Sequence, residues 1–138
     1  KGTMKKLFAA LMLLVFIAGC SKEKIYKENL NGEWSVYKYL LYNVDRTTLF
    51  NTNNPDYKIT FTDGGAFTES TTADTVTGTY SFTDNDEKIL LTHTTFVLVD
   101  TVEVPKEVKR EYTIFNLTKD HVQLRNDSSQ LYMEKKME

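Results

Sequence analysis

Cysteine is almost missing from this 138-residue chain: Cys20 stands alone, so no intrachain disulfide can form and stability must come from a packed core. Clusters of basic residues are missing as well, and the formal charge is -2, which excludes nucleic-acid binding driven by runs of Lys and Arg. Histidine is scarce. His93 and His121 show no His-x-His or Glu-x-x-His spacing, each stands beside polar residues at an expected strand end, and neither predicts a metal site. No nucleophile elbow surrounds any serine, so the chain is read as a non-enzyme. Finally, no apolar run reaches the roughly 20 residues of a membrane-spanning helix.

The longest apolar run is residues 7–18, twelve residues preceded by Lys5 and Lys6. A charged start, a short apolar stretch and small residues before a cut describe a secretory signal peptide. Ile17-Ala18-Gly19-Cys20 closes it, and this resembles the lipobox of bacterial lipoproteins. The resemblance implies cleavage before Cys20, a diacylglycerol thioether on its sulfur and an acyl chain on the new amino terminus. No other cofactor is expected. Several acyl chains hold a protein stably on a bilayer where one does not, each buried methylene contributing about 0.8 kcal/mol. The expected location is therefore the cell envelope, as an outer-membrane lipoprotein on its periplasmic or surface face. Lys22-Glu23-Lys24 only partly resembles the charged signals that send some Gram-negative lipoproteins to the surface.

Three divisions follow: residues 1–19 as signal peptide, 20–31 as lipidated cysteine and polar tether with a helical turn near 25–30, and 32–138 as one folded domain. From Cys20 onward 14 basic residues face 19 acidic ones, a formal -5. From Gly32 the apolar period becomes two. Tyr57, Ile59 and Phe61 alternate with Lys58, Thr60 and Thr62, and Val76, Gly78, Tyr80 and Phe82 alternate with polar neighbours. That is the pattern of half-buried antiparallel strands. Strands are predicted at 32–43, 56–62, 66–71, 76–83, 87–93, 96–104, 108–117, 121–126 and 131–136. Turns are predicted at Asp63-Gly64-Gly65, at Asp84-Asn85-Asp86, at Pro105-Lys106, and at 118–120 and 126–129. Residues 45–56 carry no clear assignment beyond a loop at 51–55. The fold class is all-β: an antiparallel up-and-down meander of eight to nine strands, closed into a barrel that removes exposed edges.

Leu30-Asn31-Gly32-Glu33-Trp34, the stretch 57–67 around Asp63-Gly64-Gly65, Gly78-Thr79-Tyr80-Ser81-Phe82, Tyr112-Thr113-Ile114 with Leu117-Thr118-Lys119-Asp120 and Leu124, and residues 131–135 together resemble the lipocalin-like domains of small Gram-negative surface lipoproteins. Gly32-x-Trp34 is similar to the Gly-x-Trp of lipocalins, whose tryptophan packs across the closed end of the barrel. The second and third lipocalin signatures are absent. The resemblance implies a lipocalin-like β-barrel that holds a small apolar or amphipathic ligand, with Trp34, Val36, Ile59, Phe61, Tyr80, Phe82 and Tyr112 as barrel-lining candidates. A barrel of about eight strands can also be filled by its own side chains, so cavity volume decides this reading.

The alternative is an interaction module of the envelope, docking a protein or glycan through its outer surface or loops. Tyr37 and Tyr39, which share a face on a regular strand, and the loop at 43–56 are its candidate surfaces. The expected partners are the membrane, through the anchor, and either the small ligand or an envelope protein, with the chain itself a monomer. Asp84-Asn85-Asp86-Glu87 lacks the later glycine and glutamate of a calcium loop and reads as a turn. Glu103, Glu107 and Glu111 with Lys106, Lys109 and Arg110 read as a mixed-sign solvated edge. Asp74-Thr75-Val76 and Asp100-Thr101-Val102 resemble sites of bacterial O-glycosylation.

Overall fold

The computed structural model describes residues 23–85 and 87–137. Cys20 and its neighbours lie outside the described residues. A short helix α1 (residues 23–30) leads into β1 (Gly32–Leu41), followed by β2 (Val44–Asp45), a second helix α2 (Thr47–Asn53), β3 (Lys58–Phe61), β4 (Ala66–Ser70), β5 (Thr75–Thr83), β6 (Lys88–Val99), β7 (Val102–Phe115), β8 (His121–Arg125) and β9 (Ser129–Lys135). Each strand from β3 to β9 pairs antiparallel with the next, and β1 pairs with both β3 and β9. The predicted meander therefore closes as an eight-stranded barrel, with the two-residue β2 attached to the end of β1.

Alternation does most of the placing. On β3 Ile59 and Phe61 are buried while Lys58 faces solvent, and on β5 Tyr80 is buried between the exposed Thr79 and Ser81. The core gathers Trp34, Phe61, Phe67, Ile89, Leu91, Val122, Leu124, Leu131 and Met133. Burying each such large side chain contributes about 1.5–3 kcal/mol. Gly78 is required by this packing: a Cβ there would lie 2.1 Å from the Thr92 carbonyl oxygen and 2.7 Å from the Phe67 ring. At the β3–β4 turn it is Gly65, with φ +83°, that supplies the left-handed conformation.

Two expectations about strands are corrected. The chain at 87–117 does not form three strands broken at Pro105-Lys106. It forms two long ones, β6 and β7, paired without interruption from Lys88↔Thr113 to Val99↔Val102. The turn is Asp100-Thr101, both with positive φ (50° and 69°), the backbone of a tight two-residue hairpin. β5 follows β6 only to His93, and β8 follows β7 only from Thr113. Beyond those limits residues 94–107 stand out as a two-stranded ribbon, and Pro105 is tolerated because its missing N–H belongs to the unpaired edge.

The second correction concerns β1. Its pairing with β9 shifts between Val36 and Lys38, a bulge that inserts Tyr37 as an extra residue. Tyr37 stays outside against the His121 and Tyr132 rings, whereas Tyr39 turns inward onto Phe50, so the two tyrosines do not share a face.

Candidate functional site

The closed end is built by α1 and the start of β1. Leu30, the last residue of α1, is fully buried, and its carbonyl accepts a 2.7 Å hydrogen bond from Trp34 Nε1. Lys135 Nζ sits 5.0 Å from the centre of the Trp34 ring and donates to the Asn29 carbonyl, and burial lowers its pKa. Tyr26 packs edge-on against Phe82, which meets Tyr80, which in turn meets Phe61. This end is solid with side chains.

The other end is hollow. A cavity of about 200 Å³ is lined by Ile59, Leu91, Leu124, Leu131 and Met133 on its apolar side and by Tyr57, Glu69, Arg110, Tyr112, Asn54 and Ser129 on its polar side. Phe50 of α2 covers it, its ring centre 4.8 Å from that of Tyr39 in a tilted contact and 5.2 Å from that of Tyr57 edge-on. No residue of α2 is itself fully buried; besides the aromatic contact, the Tyr39 N–H donates to Thr47 Oγ1 at 2.9 Å and the Arg46 N–H to the Tyr39 carbonyl at 2.9 Å.

Inside the cavity wall lies an ion pair. Arg110 on β7 reaches across to Glu69 on β4 with both terminal nitrogens, Nη1 donating to Oε2 at 3.1 Å and Nη2 to Oε1, and the Tyr57 hydroxyl donates to Oε2 at 2.5 Å. Burial alone would raise the Glu69 pKa, but the hydrogen bonds from Arg110 and Tyr57 outweigh it and hold the carboxyl below its ordinary range. Burial, then the Glu69 charge and the hydrogen bond to it, push the Tyr57 hydroxyl well up, and burial raises Tyr112 too. Arg110 is raised despite burial by its bond to Glu69. Two buried nitrogens beside the pair have no hydrogen-bond partner, Arg110 Nε and His93 Nδ1.

Of the seven predicted lining residues, Ile59 and Tyr112 reach this cavity. Trp34, Phe61, Tyr80 and Phe82 belong to the packed end, and Val36 packs half-buried against the core. Arg110 is not part of a solvated edge: on β7 it shares the inward face with Tyr112, while Lys109 and Glu111 point out. His93 is likewise not at a strand end but within β6, opposite Gly78. Glu69 was missed altogether. The alternation Phe67, Glu69 on one face and Ala66, Thr68, Ser70 on the other was the signal for it.

A closed antiparallel meander of eight strands, one end plugged by a Gly-x-Trp tryptophan and the other hollow, is a lipocalin-like fold. Among solved structures the chain is similar to a lipocalin-like protein from Bacteroides uniformis, at 15% identity and a TM-score of 0.53, covering 78% of this chain and 99% of that one. It is similar to the same extent to an uncharacterized protein from Bacteroides eggerthii, at 14% identity, TM-score 0.53 and the same coverages. No family model and no curated protein sequence matches the chain.

Proposed function

We propose that this protein is a membrane-anchored binding protein that carries a small amphipathic molecule in the hollow end of its lipocalin-like barrel and catalyses nothing. The observation that supports the reading is the cavity itself: apolar walls and a polar patch, under a cover whose residues are none of them fully buried. Ile59 and Tyr112 are the sequence-predicted residues that would touch the ligand, with Leu91, Glu69 and Arg110 beside them. Anchoring rests on Cys20 and the apolar run before it. Metabolic labelling with an alkyne-tagged palmitate should mark the native chain and lose the mark in Cys20→Ala; labelling of that variant would remove the anchor from the proposal. Native mass spectrometry of the protein extracted from its own envelope should find a bound small molecule. A bare chain after gentle extraction would count against carriage.

A second reading, a docking module, is favoured by a different observation. The ribbon at 94–107 exposes Phe96, Leu98, Val99 and Val102, with Phe96 64% and Leu98 73% accessible. Cross-linking in the intact envelope should then trap a partner at Phe96 and not at Tyr37. A ribbon that cross-links to nothing would leave carriage as the sole reading.

A further inference from the structure

The cavity contains a full positive and a full negative charge that cancel each other, and that cancellation bears on what can enter. Glu69 and Arg110 are joined by two nitrogen–oxygen contacts, and among the described residues no other carboxylate, lysine or arginine lines the space. His93 and the tyrosines Tyr57 and Tyr112 are the remaining titratable groups facing the pair, and both tyrosines are shifted up by burial, which keeps them uncharged at neutral pH. A ligand bearing a net charge would give up its hydration to meet a site of no net charge, a loss nothing there returns.

Hydrogen-bonding capacity nonetheless remains. Tyr112, Asn54 and Ser129 set polar side chains in the lining. At about 200 Å³ the space is smaller than the roughly 300 Å³ at which drug-sized ligand sites begin. Resting on the carriage reading above, we infer that the cavity selects an uncharged molecule: a compact apolar or aromatic body bearing one carbonyl or hydroxyl group that meets the Glu69–Arg110 pair, and not a carboxylate or an amine. The Glu69 carboxylate, already taken by three donors, holds the guanidinium in place and cancels its charge, and the Tyr112 hydroxyl beside Arg110 in the same lining supplies the donor for the ligand oxygen.

Three probes of the same shape separate charge from size: benzamide, benzoate and benzamidinium. Titrated into the full chain and followed by the side-chain resonances of Ile59, Leu91 and Met133, benzamide should bind at least tenfold more tightly than either ion. Glu69→Gln, which leaves the guanidinium uncompensated, should reverse the order in favour of benzoate, and Arg110→Gln should weaken benzoate further while its melting curve checks that the barrel persists. The wild-type ranking needs no variant to fold. Equal or tighter binding of benzoate or benzamidinium in the wild type overturns the inference and leaves carriage standing. Failure of all three to move any cavity resonance overturns both.

Discussion

The two ends of the barrel are made from the same strands and solve opposite problems. At the α1 end Leu30, Trp34, Phe61 and Tyr80 are buried with Phe82 packed against them, and the one polar atom of Trp34 is answered by the Leu30 carbonyl. At the α2 end the inward positions turn to Glu69, His93 and Arg110, and packing gives way to a cavity. Full packing produces rigidity and leaves nothing to bind with; a charged pair with an unfilled space beside it is less stable and chemically selective. The difference teaches that stability and recognition here are separated along the barrel axis.

The sharpest way to break that contrast is to hollow out the packed end. Trp34→Ala should cost about 4 kcal/mol in urea unfolding, the expected loss for a buried tryptophan, while the cavity resonances stay in place. Next comes the ion pair. Arg110→Leu leaves the part-buried Glu69 carboxylate with only the Tyr57 hydroxyl and should cost about 2 kcal/mol, and adding Glu69→Leu should recover much of it, because replacing both partners with apolar groups removes the uncompensated charge. If the double variant is as unstable as the single, the pair matters through shape and not through charge.

Acid should separate the ends further. Glu69 is depressed below its ordinary value of 4.5 by its hydrogen bonds, so its contribution is complete above that value and is lost as the pH falls through the lower folded one. Wild-type stability should therefore decline in that acid window, Glu69→Gln should decline less, and Trp34→Ala should keep the wild-type slope; melting curves from neutral to strongly acid pH test all three. The smallest effect is expected at the cover. Phe50→Ala should cost about 1 kcal/mol or less, yet speed exchange of any bound probe measured by relaxation dispersion, since Phe50 is half-buried and joined to the barrel by two ring contacts.

Much of the fold is legible in the sequence. Period-two alternation placed Ile59, Phe61, Tyr80 and Phe82 inside, and Gly32-x-Trp34 placed the plug. The cavity's polar wall was legible in principle, since Arg110 alternates with Tyr112 and Glu69 with Phe67, but charged residues were read as solvent-facing because isolated burial of a charge is costly and their partner lies 41 residues away. Two features left no local signal. The bulge at Tyr37 depends on what β9 offers across the sheet, and Asp100-Thr101 lacks the glycine that usually announces a two-residue hairpin. Pro105 then drew the break to the wrong place, because its edge is open only where β8 has already ended.

The seam where β1 meets β9 has a kinetic meaning. From β3 to β9 each strand is joined to its neighbour by a short connection, but Trp34 pairs with Lys135 across about 100 residues. Local hairpins can form in microseconds, whereas joining first strand to last must wait for the entropy of a long loop to be overcome. Trp34, the one tryptophan in the chain, sits at that seam, so its fluorescence in stopped-flow refolding should lag behind the backbone signal of the strands. Simultaneous signals would mean that the barrel condenses all at once. Until the seam shuts, β1 and β9 are both bare edges, and the interval before closure is when one copy of the chain can mistake another for itself.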